Sequence, residues 1–171
     1  GALNSTQVKA LTSTQLNALN ELQIQAFATA DVAALGTDKI AALSSLQLRN
    51  LSSAQIAALT SDQVKALSTE QLGNMLPFQV SAMKTDHIAA LSTVQLGAMT
   101  STQITALTSA QIQALATGTI AGLSTTQLTM LLTNQISGLI TNLPYHFRLV
   151  VSNALGVAYG FDQIFDQAID R

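Results

Sequence analysis

The sequence predicts an all-α fold, a solenoid of short N-capped helices with one helix per eight residues, two helices per coil and a C-terminal helical cap. Three observations predict it. An eight-residue period runs without insertion, a helix-capping sequence recurs in almost every period, and the apolar places fit neither a long helix nor a strand.

The period starts at Leu3 and steps by eight through Leu11, Leu19 and Phe27 to Leu131, giving 17 octads over residues 3–138. The consensus is Leu-[Ser/Thr]-[Ser/Thr]-x-Gln-[Ile/Val/Leu]-x-Ala. The sixth place is aliphatic in all 17 octads, so it is the candidate core; Gln holds the fifth place in 13 and Ala the eighth in 12. Eight residues at about 100° each leave a net turn of about 80°, so one straight helix would carry this stripe around its own axis. In a strand, places one, six and eight would fall on both faces, and Ala, Leu and Gln are poor strand formers.

A short helix in each octad resolves the conflict. In Leu11-Thr12-Ser13-Thr14-Gln15-Leu16, Thr12 is placed to cap, Gln15 to reach back to the cap N–H, and Leu11 and Leu16 to staple the turn. Place two and place three both offer hydroxyls, and the sequence leaves open which of them caps. Met75-Leu76-Pro77-Phe78 lacks both hydroxyls but puts Pro77 where a first helical residue belongs. Asp38, Asp62, Glu70 and Asp86 fall at place four, in the first turn, where the helix dipole favours an acid. Helices this short need packing between neighbours for their stability.

The sixth place sets the expected coil. Every second octad from Val8 is rich in Ile, and the others read mostly Leu or Val. That alternation predicts a 16-residue coil of two helices. A competing 24-residue period appears in Asp38/Asp62/Asp86 and Leu48/Leu72/Leu96. In either case Leu, Ile and Ala line the inside, while the hydroxyl, fourth and seventh places face out.

The repeat domain is therefore 3–143, ending in a degraded half-octad before Pro144. Residues 144–171 hold five of the seven aromatics. Phe147, Val150, Val151, Ala154, Leu155 and Ala158, then Phe161, Ile164, Phe165, Ala168 and Ile169, follow helical spacing, predicting a two-helix capping segment. The rival reading of this tail is an export signal or docking helix.

Composition excludes several functions. Seven Lys+Arg against nine Asp+Glu, with no basic run, leave no footprint for nucleic acid. No apolar run approaches the roughly 18 residues of a membrane span, so membrane insertion is not expected. Cys is absent, which removes thiol nucleophiles and zinc ribbons. Gly1-Ala2 in place of an initiator Met reads as the scar of an excised fragment, so a missing signal peptide decides nothing. His87 stands where the octad has Gln and is expected to hydrogen-bond as Gln does. His146 lies far away in another segment. Asp86-His87 is no dyad, because adjacent helical residues point apart. No base recurs beside the hydroxyls and no carboxylates pair, so no enzyme activity, catalytic residue, cofactor or metal is expected.

Met99-Thr100-Ser101-Thr102-Gln103-Ile104-Thr105-Ala106-Leu107 resembles the octapeptide tandem repeats of large secreted or surface adhesin-like bacterial proteins. The resemblance implies a secreted or cell-surface module and carries no binding residue over. The expected function is a non-enzymatic structural or adhesive module, a spacer or interaction surface of a larger extracellular protein. Its partners would be a protein or glycan surface, or further copies of itself. Gln15, Gln55, Gln63, Gln103 and Gln111 represent the structural repeat. The alternative is an ice- or crystal-surface binder displaying a hydroxyl array through Ser13, Thr29, Ser45, Ser61, Thr93, Ser109 and Thr125.

Overall fold

A computed structural model describes residues 4–131, Gln135 and the strands at 150–153 and 156–159. The repeat is all-helical. The first coil holds α1 (Ser5–Ala10), α2 (Ser13–Asn17) and α3 (Glu21–Gln25). The second holds α4 (Thr29–Ala34), α5 (Thr37–Ala42) and α6 (Ser45–Arg49). The third holds α7 (Ser53–Ala58), α8 (Ser61–Lys65) and α9 (Thr69–Asn74). The fourth holds α10 (Pro77–Ser81), α11 (Thr85–Ala89) and α12 (Thr93–Gly97). Then come α13 (Ser101–Thr105), α14 (Ser109–Gln113), α15 (Thr117–Ile120) and α16 (Thr125–Thr129).

Place two is the cap. Thr12 is extended (φ −75°, ψ 160°), its hydroxyl accepts from Gln15 N at 3.2 Å, and its own N–H donates to Gln15 Oε1 at 2.9 Å. The same reciprocal box closes at Ser52/Gln55 and Thr108/Gln111. Place three is the first helical residue, and Pro77 occupies it in α10 as its fixed φ favours. Each helix ends where the next first-place residue turns back, as Leu59 N does onto Ile56 O at 3.2 Å. That short i→i−3 bond tightens the last turn, and the next cap residue then leaves in extended conformation.

Stacking supplies what such short helices lack. Helix packs on helix in three columns: α1–α4–α7–α10–α13–α16, α2–α5–α8–α11–α14, and α6–α9–α12–α15. The coil is therefore three octads and three helices, not the two octads and two helices that the sixth-place alternation predicted. The alternation misled because Ile, Leu and Val at that place all enter one core. From Val8 to Ile112 every sixth-place side chain is at most 1% exposed. Burying each is worth about 1.5–3 kcal/mol. The weaker three-octad signal was the structural one, since Asp38, Asp62 and Asp86 lie in α5, α8 and α11, a single column.

Two further readings are revised. The eighth-place Ala is only partly buried in the interior coils, as at Ala58 and Ala66, because it ends its helix at the coil's edge. Beyond the repeat, Val150–Asn153 (β1) and Gly156–Tyr159 (β2) pair as an antiparallel hairpin, with Val150 opposite Tyr159 and Asn153 opposite Gly156. The predicted first capping helix is not formed there. Val150, Val151, Val157 and Tyr159 favour strands, and Asn153 and Gly156 flank a two-residue connection, a hairpin spelling that outweighs the helical spacing. The second predicted capping helix and the half-octad at 139–143 lie outside the described residues.

Candidate functional site

The feature that repeats with the fold is a ladder of buried glutamines. In the second to fourth coils the fifth-place Gln sits at the third position of its helix, beside the previous coil. Gln63 is 1% exposed. Its Oε1 accepts from Thr60 N at 2.7 Å, completing its own helix's cap. Its Nε2 donates across the coils toward Val32 O (2.9 Å), Ala33 O (3.4 Å) and Leu35 O (2.8 Å). Those carbonyls end α4 and have no partner further along their own helix. One amide thus serves two helix ends at once, because Gln alone among neutral side chains of this length carries an acceptor and a two-hydrogen donor on one carbon.

The offsets repeat. Gln55 reaches Ile24, Gln25 and Phe27. Gln103 reaches Leu72, Gly73 and Met75, and Gln111 reaches Val80, Ser81 and Met83. The same three places of an earlier octad supply the acceptors each time, on the neighbouring coil. The sequence showed the capping arm of these glutamines and not this second arm, because nothing local encodes what lies a coil away. Gln15 has only the first arm and is exposed.

Other residues at place five test what a rung needs. His87 is 2% exposed; its Nδ1 accepts from Lys84 N at 3.2 Å, and it hydrogen-bonds the backbone of Leu59, the first-place residue that a glutamine amide would reach from there. The two imidazole nitrogens thus stand in for the amide oxygen and nitrogen. Burial pushes the His87 pKa below its ordinary value; the Leu59 bond raises it, Lys84 lowers it and Asp86 raises it. Lys39 supplies a donor by another route, its Nζ reaching Lys9 O. Asp31 has no donor: Oδ2 accepts from Ala28 N at 3.2 Å, while Oδ1 is buried without a partner. His146 lies outside the described residues.

The seven hydroxyls of the predicted array are divided by the three-helix coil. Ser13, Ser61 and Ser109 fall in the α2 column, Thr29 and Thr125 in the α1 column, and Ser45 and Thr93 in the α6 column. They do not form one row. Some look toward the next coil instead: Ser61 Oγ donates to Asp86 O at 3.4 Å, and Thr93 Oγ1 to Gly118 O at 3.4 Å. Among the described residues no three His, Cys, Asp or Glu side chains gather as metal ligands, and no helix is long and apolar enough to cross a membrane.

A continuous core crossed by repeating rungs defines a repeat protein with a solenoid architecture. The family model of the ALTTAQ repeat matches residues 45–75 and 79–109, the coils in which the ladder is densest. No curated protein and no solved structure matches the chain.

Proposed function

We propose that the chain is a non-enzymatic structural or adhesive module, a spacer or interaction surface within a larger extracellular protein, and that it works on a protein or glycan surface or on further copies of itself. The observation that carries this reading is the ladder. The one polar side chain that recurs in nearly every octad is consumed in joining coil to coil. A chain organised this way gains stiffness along its axis, because each rung resists separation of neighbouring coils. The extracellular and bacterial setting rests on the resemblance of the octads to adhesin-like repeats.

Single-molecule pulling between the ends of the repeat tests the spacer reading. A spacer is expected to resist low force and then to release coil by coil, each step freeing the length of one three-octad coil. Rapid turnover of a substrate by the purified chain would replace this reading with an enzymatic one. A surface-array reading retains one favourable observation, the α2 column, where Ser13, Thr37, Ser61, Thr85 and Ser109 give an unbroken line of hydroxyls. Thermal hysteresis or ice shaping by the purified chain would establish that function in place of the spacer.

A further inference from the structure

We propose that the face of the first coil bearing Gln7, Gln15 and Gln23 is a docking surface, and that its partner is the carbonyl-bearing side of another coil of the same octad repeat. The first support is the state of these three glutamines. Each holds its own cap, with Oε1 accepting from Asn4 N, Thr12 N or Asn20 N at 2.9 Å. All three are exposed, and among the described residues none of the three Nε2 groups has an acceptor. They are the donor half of a rung. The interior of the same molecule shows what that half binds, three backbone carbonyls at the end of a helix one coil away.

The second support is apolar and independent of the amides. Leu11, Leu19 and Phe27 pack on the core yet remain partly exposed, whereas Leu51, Leu59 and Leu67, at the same place in an interior coil, are 2–3% exposed. The missing cover and the missing acceptors lie on the same coil. An octad coil supplies both at the spacing this face already has. A nucleic acid or acidic surface would find no cationic partner in these neutral amides, and a general apolar surface would leave the donors unsatisfied.

The test extends the full chain with a copy of residues 43–74, four octads, joined ahead of Leu3 so that the octad register is unbroken. Amide exchange at Val8, Leu16 and Ile24, whose N–H groups close α1, α2 and α3, is expected to slow by at least about tenfold. Gln7→Glu, Gln15→Glu and Gln23→Glu together keep the capping acceptor but remove the donor. They are expected to cancel the gain in the extended chain and to leave exchange in the parent chain within about twofold. Should the triple variant lose its helical circular dichroism, Gln15→Glu alone is read at Leu16, where the same loss is expected. An extension joined through half an additional octad, out of register, is expected to protect nothing. Full protection in the Glu variants or in the out-of-register chain would overturn the proposal, as would absence of protection in the in-register chain.

Discussion

Gln15 in the first coil and Gln63 in the third make the same local bonds. Each accepts from a place-two threonine N–H through Oε1 and donates its own N–H to that threonine's hydroxyl at 3.2 Å. Only Gln63 has a coil against its amide nitrogen. One is an exposed cap and the other a buried tie between helices. A single octad of sequence is therefore enough to set a helix, and a side chain acquires its second role only from the stack. The contrast also says where stability resides, in the interfaces between coils more than within any helix.

The strongest way to break the contrast is Glu at both positions. Gln63→Glu keeps the cap but places a carboxylate against three carbonyls in a site 1% exposed. It is expected to destabilise the coils around α4 and α8 by about 3–5 kcal/mol at neutral pH, with partial recovery in acid as the protonated group regains a donor. Gln15→Glu is expected to stay within about 0.5 kcal/mol. Urea denaturation of both variants at pH 7 and pH 4 checks this. Equal losses would mean that the two glutamines do the same work.

This pair also marks what could be read from the sequence. The octad, the one-helix rhythm, the sixth-place core and the capping box are local and were legible. The coil size was not, because Ile, Leu and Val at the sixth place meet the same buried environment whichever column they serve. Only residues looking outward, such as Asp38, Asp62 and Asp86, kept the column's period. The rung escaped for the same reason, since its donor and its acceptors lie on successive coils and no local pattern links them. In the tail, helical spacing competed with β-branched residues, and the hairpin at 150–159 shows which preference prevailed.

Close approach of backbones gives a second contrast between coils. A Cβ on Gly97 would lie 2.6 Å from Gly122 O, whereas one on Gly73 would lie 3.2 Å from Ala98 O. The first distance forces backbone to move. Gly97→Ala is expected to cost about 1–3 kcal/mol, while at Gly73 the helical preference for Ala, up to about 1 kcal/mol, offsets the tighter contact. Thermal unfolding of the two alanine variants measures the difference, and a loss at Gly73 equal to that at Gly97 would contradict the spacing.

His87 sharpens the comparison by making one rung titratable. Its folded pKa is depressed, chiefly by burial, so the unfolded chain binds the proton more readily. The rung's contribution is present above the unfolded value of 6.5 and is lost as pH falls through the lower folded value. Protonation also turns Nδ1 into a donor facing the Lys84 N–H that it caps. Stability of the parent chain is expected to fall from about pH 6.5 downward, and His87→Gln is expected to flatten that part of the profile. Identical pH profiles for the two chains would remove His87 from the ladder.

The smallest expected effect comes from mending the octad at 115–122. Thr119 stands at place five, and its side chain is too short to reach across the coil boundary as a glutamine amide does, here to the carbonyl of Leu91. Ala116 gives α15 no side-chain cap, and Ile120 is only partly buried, whereas the sixth-place residues up to Ile112 are sealed. The three deficits belong together, since an uncapped helix without a rung is held less firmly against its neighbours. Ala116→Ser is expected to add about 1 kcal/mol through the cap. Thr119→Gln is expected to add about 0.5–1.5 kcal/mol through one net hydrogen bond. Because the new Gln would also complete the box with the new Ser, the pair should exceed the sum of the single changes, the coupling expected of residues in contact. A double-mutant cycle read by amide exchange over residues 115–123 checks it; strict additivity would mean that the cap and the rung act separately, and that the shared amide is not what joins them.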